Sequence, residues 1–143
     1  MHQGPTIPYL GLEIRQNEDY SIDVSMAAYT KSVTQDINKT RVTPAASDLF
    51  QHSETDTLLS PKEQKIFHSQ VQQLLYLAWK LRSDIQVAVS YLTTRVTSPT
   101  VKDQAKLEHI LQYLHGTQDL HLHISHQGDI RDIKIFIDGS FSA

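Results

Sequence analysis

Apolar residues recur along this chain with two periods, near two at its ends and near three and a half between them. Leu10, Leu12 and Ile14 alternate with polar neighbours, and so do Tyr20, Ile22 and Val24. With the polar Asn17-Glu18-Asp19 between them, the two runs predict a β-hairpin. Pro5 and Pro8 predict an irregular approach to it. From Met26 to about Ile37 the period lengthens, and Met26, Tyr29, Val33 and Ile37 fall near one helical face. Asn38 to Ser60 follows neither period and carries the loop-like pairs Thr43-Pro44 and Ser47-Asp48. So long a stretch without elements is uncommon inside a compact domain, and it is expected to cross a surface.

Ser60-Pro61-Lys62-Glu63 opens the next helix: serine caps it, proline suits its first position, and Glu63 can reach back to the cap. The helix is expected to run to about Arg82. Phe67, Val71, Leu74, Leu75, Ala78 and Leu81 form its stripe, and Leu77 and Trp79 widen it, which predicts a central position. Ser83-Asp84 caps a second helix with the stripe Ile85, Ala88, Val89, Leu92 and Val96. Ser98-Pro99-Thr100 ends that helix and caps a third, with the stripe Leu107, Ile110, Leu111 and Leu114 and with Gly116 as terminator. Period two then returns. Leu120, Leu122 and Ile124 alternate with His121, His123 and Ser125. After Gln127-Gly128-Asp129, Ile133, Ile135 and Ile137 alternate again, predicting a second hairpin. The class is α+β: N-terminal hairpin, helix, long loop, three-helix bundle, C-terminal hairpin. A lone hairpin is marginal in water, so both are expected to be edges of larger sheets, in a chain cut at both ends.

At 143 residues the chain suffices for one domain and part of another. Cysteine is absent, which excludes disulfides and thiolate metal sites. No run has the length of a membrane helix, and MHQGPTIPYL lacks the pattern of a signal peptide. An intracellular protein, cytoplasmic or nuclear, with no membrane partner is expected. The net charge is −3, so nucleic-acid binding requires a local patch or help from other segments.

Candidate chemistry is sparse. Asp138 stands at the tip of the last predicted strand, beside Gly139. A carboxylate there suits a metal-binding catalytic acid, but two-metal sites take several carboxylates, and Asp-Gly is also a turn pair. His121 and His123 share a strand face and, with His126, could hold a metal such as zinc; the alternative is an exposed polar face. His109 and His115 are expected on a helix surface. Lys31, Lys39 and Arg41 lie close together in sequence, and Lys102 and Lys106 lie one helical turn apart. They are either phosphate contacts or solvated faces, the second group diluted by Asp103 and Glu108. Tyr76 and Trp79 are expected in the core, with base stacking the alternative. Five glycines leave no phosphate-cradling loop, and no nucleophile triad can be argued from spacing.

Several stretches, taken in order, resemble one family. They are YLGLEI (Tyr9 to Ile14), VSM..Y (Val24 to Tyr29), the Thr43-Pro44-Ala45 step, FHSQVQQLLYLAWKLRSDIQVAVSYL (Phe67 to Leu92), KLEHILQYLHGTQDLHL (Lys106 to Leu122) and IDGSFSA (Ile137 to Ala143). Together they are similar to the reverse transcriptase of copia-type LTR retrotransposons, in the Pol polyprotein. Gln72 stands where that family has a small residue and Ser83 where it has proline, while Arg82 and Asp84 match. The resemblance implies a palm-end, primer-grip-like hairpin over residues 1–25, a thumb and connecting region over 26–117, and the truncated start of an RNase H-like domain over 118–143. It implies a primer–template duplex of RNA and DNA as partner, together with the remaining palm and RNase H segments. It places Leu10 and Gly11 near the primer terminus, and it makes Lys31, Lys39, Arg41, Lys102 and Lys106 duplex contacts. Asp138 would be the first RNase H carboxylate, binding Mg²⁺ only in the full-length context. The fragment itself would hold no cofactor and, with the other acids of both sites missing, would catalyse neither polymerisation nor RNA cleavage. A different expectation is a domesticated helical module that binds a protein or nucleic-acid partner. A third, a small metal nuclease built on Asp138 and the histidines, lacks carboxylates.

Overall fold

The computed structural model describes residues 6–53 and 55–125. Asp138, His126 and the run from Ile133 to Ile137 lie outside the described residues. The chain is α+β. Strands β1 (Thr6–Tyr9), β2 (Leu12–Gln16) and β3 (Ile22–Ser25) precede α1 (Ala27–Val33), α2 (Pro61–Lys80), a 3₁₀ turn (Ser83–Ile85), α3 (Gln86–Thr93), α4 (Val101–Gly116) and β4 (Leu122–Ile124). The strands form one antiparallel sheet in the order β1-β2-β3-β4.

The hairpin expected around Asn17-Glu18-Asp19 is present as β2 and β3, with Arg15 opposite Asp23. It closes without glycine because Tyr20 takes the left-handed position, at φ 64°. Asp19 braces the turn by accepting from the Ser21 amide at 3.0 Å and from its hydroxyl at 2.6 Å. Tyr20 is thus a turn residue, not part of the alternating strand. The irregular start is instead β1, where Pro8 sits in an edge strand that can spare its N–H. YLGLEI is not one strand either. Leu10 (φ 49°) and Gly11 (φ 80°) form a two-residue turn between β1 and β2, a geometry that matches strand twist and favours glycine at its second position.

The helical boxes fold as their residues dictate. Ser60 accepts from the Glu63 amide, and Glu63 accepts from the Ser60 amide at 2.8 Å. Thr100 and Asp103 repeat the device at α4. The core joins Phe67, Val71, Leu74 and Leu77 of α2 to Ile85, Val89 and Leu92, and to Leu107, Ile110 and Leu114, all fully buried. Each such side chain contributes about 1.5–3 kcal/mol by leaving water. Trp79, expected in this core, is 73% exposed, because it falls on the outer side of α2. Gly116 does not terminate α4 by a left-handed turn. It is the last helical residue, and an added Cβ would lie 3.2 Å from Thr40 Cβ, so its smallness admits the long loop.

The second difference of architecture concerns β4. The sequence pattern pairs it with a following strand, but its described partner is β3, with Asp23 opposite His123 and Val24 opposite Leu122. Residues from both ends of the described region therefore share one sheet. No helix among the described residues is long and apolar enough to cross a membrane.

Candidate nucleic-acid interface

The long loop lies on α4, held by rungs spaced along one face of that helix. Lys102 pairs with Asp56 at 2.7 Å, and this hydrogen bond holds the Asp56 carboxyl below its usual value. Lys106 donates to the Gln51 carbonyl at 2.6 Å and stands 4.8 Å over the Tyr91 ring. His109 Nε2 donates to the Thr43 carbonyl at 3.0 Å, and Arg41 Nε donates to Gln112 at 3.1 Å. Between loop and helix lies a cavity of about 1060 Å³. Four of the five cations selected from the sequence, Lys39, Arg41, Lys102 and Lys106, line it. Lys31 does not join them; it faces Asp119 at 3.6 Å.

The outer side of α2 has a different character. From Gln64 to Lys80 the helix carries no carboxylate. Lys65, His68, Gln72, Gln73, Tyr76 and Lys80 are exposed along it. Gln72 therefore faces solvent rather than a helix contact. Tyr76 stands edge-on to Tyr29, with centroids 5.4 Å apart, and Lys80 lies 5.7 Å over its ring. The Tyr76 hydroxyl donates to the Leu10 carbonyl at 2.9 Å. An added Cβ on Gly11 would meet that hydroxyl at 3.3 Å. The Leu10–Gly11 turn is therefore fastened to the end of this face. The absence of acids from Gln64 to Lys80 is legible in the sequence, but which side of the helix points outward depends on the packing of α3 and α4.

His121 and His123 share a strand face, as expected, and the structure brings both to Asp23. His123 Nδ1 is 2.6 Å and His121 Nε2 3.7 Å from Asp23 Oδ1. The other carboxylate oxygen accepts from Arg15 at 2.8 Å and from Asn17 at 3.1 Å. Hydrogen bonds from Arg15, His123 and Asn17 hold this carboxyl far below the usual range. Asp23 escaped the sequence reading because its partners lie up to a hundred residues away. No three His, Asp or Glu side chains among the described residues converge to hold a metal ion, and Asp138, to which the resemblance assigns Mg²⁺ in the full-length context, lies outside them. Arg15 beside Asp23 further opposes a cation at that carboxylate. Neither a protein family, nor a curated protein, nor a solved structure matches the chain.

Proposed function

We propose that the chain is a portion of a copia-type retroelement polymerase whose helical part grips a primer–template duplex and links the polymerase to RNase H. The observation that carries this reading is the carboxylate-free outer side of α2, continued at one end by the turn at Leu10 and Gly11. Cations and amides along a helix suit phosphates and groove edges, and an exposed tight turn can approach a backbone closely. Alone the chain is catalytically incomplete, because phosphoryl transfer with two metals takes several carboxylates, and Asp138 is one. Mg²⁺ binding belongs to the whole polymerase.

The test is fluorescence anisotropy with a labelled RNA·DNA hybrid at several salt concentrations. Binding is expected to weaken steeply with salt, because phosphate contacts release counterions. Lys65→Glu/Lys80→Glu is expected to abolish it. Salt-independent binding, or full binding by that variant, contradicts the reading. One observation favours a helical module that docks a protein instead: Trp79, 73% exposed, is the kind of side chain that anchors protein interfaces. Under that reading the hybrid does not bind, while Trp79→Ala abolishes capture of the protein partner.

A further inference from the structure

The four groove cations are not equally engaged. Lys102 is matched by Asp56, and Lys106 by the Gln51 carbonyl and the Tyr91 hydroxyl and ring. Arg41 uses its Nε on Gln112, and neither terminal guanidinium nitrogen has a partner among the described residues. The same holds for the Lys39 ammonium. Free donors are thus concentrated at the end of the groove formed by Lys39 and Arg41. Two carboxylates also line it, Asp48 and Glu108, and Glu108 accepts from Gln112. With Lys102 matched by Asp56, the positive charges of Lys39, Arg41 and Lys106 still outnumber them. A volume of about 1060 Å³ lies at the upper end of the range for small-molecule sites.

We infer that this groove is a binding site for a small phosphorylated ligand, a phosphate or diphosphate group either free or carried by a mononucleotide. Arg41 offers the fork that grips phosphate oxygens in pairs, and Lys39 adds a point charge. Lys106, on α4, adds positive potential, whereas Lys102 is neutralised by Asp56. The assignment uses residues remote from the outer side of α2 and stands apart from the duplex reading.

The experiment is isothermal titration of the whole chain with inorganic pyrophosphate, AMP and ADP, each alone, at low ionic strength. Pyrophosphate and ADP are expected to bind with Kd below about 1 mM. Lys39→Ala/Arg41→Ala is expected to weaken them at least about tenfold, since each charge-assisted hydrogen bond to phosphate supplies a large part of such an affinity. Both side chains are exposed, and the main-chain bond from Arg41 to the Gln112 carbonyl survives the change, so the variant keeps the loop on α4. Lys65→Glu/Lys80→Glu is expected to bind pyrophosphate like the parent chain. Equal affinity for pyrophosphate and ADP identifies the phosphates as the ligand; tighter ADP adds the nucleoside. Either supports the site. No binding of pyrophosphate or ADP, undiminished binding by Lys39→Ala/Arg41→Ala, or a poly-glutamate peptide bound more tightly than pyrophosphate overturns it. Duplex binding is expected to respond to the α2 variant and not to the groove variant, so the two proposals fail separately.

Discussion

At the scale of single residues, the turn at Leu10 and Gly11 concentrates backbone strain. Leucine at φ 49° is unfavourable, whereas asparagine adopts this conformation readily and leads glycine in two-residue hairpin turns. The Leu10 side chain is 61% exposed, so changing it removes little packing. Leu10→Asn is expected to stabilise the chain by about 1 kcal/mol. Gly11→Ala is expected to destabilise it by about 1–2 kcal/mol, through the positive φ and the 3.3 Å approach of the Tyr76 hydroxyl. Urea unfolding of both variants checks the pair, and equal midpoints would remove the strain from the account. This turn was hidden in the sequence because YLGLEI alternates like a strand. The glycine was the one local sign of a break, and the strand register of β1 against β2 decides that the break is a turn.

At the scale of elements, the junction of α2, α3 and α4 depends on Arg82, only 3% exposed. Its guanidinium meets Asp84 twice, at 2.9 and 2.8 Å, and also donates to the Thr117 carbonyl and hydroxyl at 2.9 and 2.7 Å. The Tyr113 hydroxyl completes the group by donating to Asp84 at 2.8 Å. Burial alone would raise the Asp84 carboxyl, but the bonds from Arg82 and Tyr113 outweigh it and hold it below 3.8. A carboxyl with a lowered folded-state pKa stabilises above the unfolded value and loses that contribution as the pH falls through the folded value. Asp84→Asn is therefore expected to cost about 2 kcal/mol at neutral pH, with the gap to the parent chain narrowing below pH 3.8. Chemical denaturation along a pH series measures the gap, and a constant gap would deny the ion pair its role. Both capping boxes were legible in the sequence because their partners lie within a few residues, whereas Ser83-Asp84, expected as a cap, caps neither the 3₁₀ turn nor α3, because the Asp84 carboxylate is engaged by Arg82 and Tyr113. Thr117 and Tyr113 could be joined to Arg82 and Asp84 only by packing.

At the scale of the whole molecule, the helices own the core and the sheet attaches to it through Met26, Leu12 and the bond from Tyr76 to Leu10. One face of the sheet carries the row Ile7, Ile14, Val24 and Leu122, and the other carries Thr6, Arg15, Asp23 and His123. Ile7 and Leu122 of the apolar row are more than half exposed and Ile14 and Val24 are only partly buried, so the sheet draws less stability from burial than the helices do. Limited proteolysis is expected to cut first in the loop at Glu18–Tyr20 and to leave residues 60–116 as the resistant fragment. Uniform resistance of the described residues would mean that sheet and helices unfold as one unit.

The sequence by itself determined what short-range chemistry controls. The α+β class, the three helical stripes, the caps at Ser60 and Thr100, the polar hairpin turn and the exclusion of thiolate sites follow from residues near one another in the chain. Only tertiary structure decided that Trp79 faces water, that Lys39 and Arg41 share a groove with Lys102 and Lys106, and that His123 closes on Asp23. Each of these joins positions dozens of residues apart, and an amphipathic pattern states that a side is buried without stating against what. The packing of α3 and α4 against α2, and the antiparallel register of β3 and β4, supply that missing information.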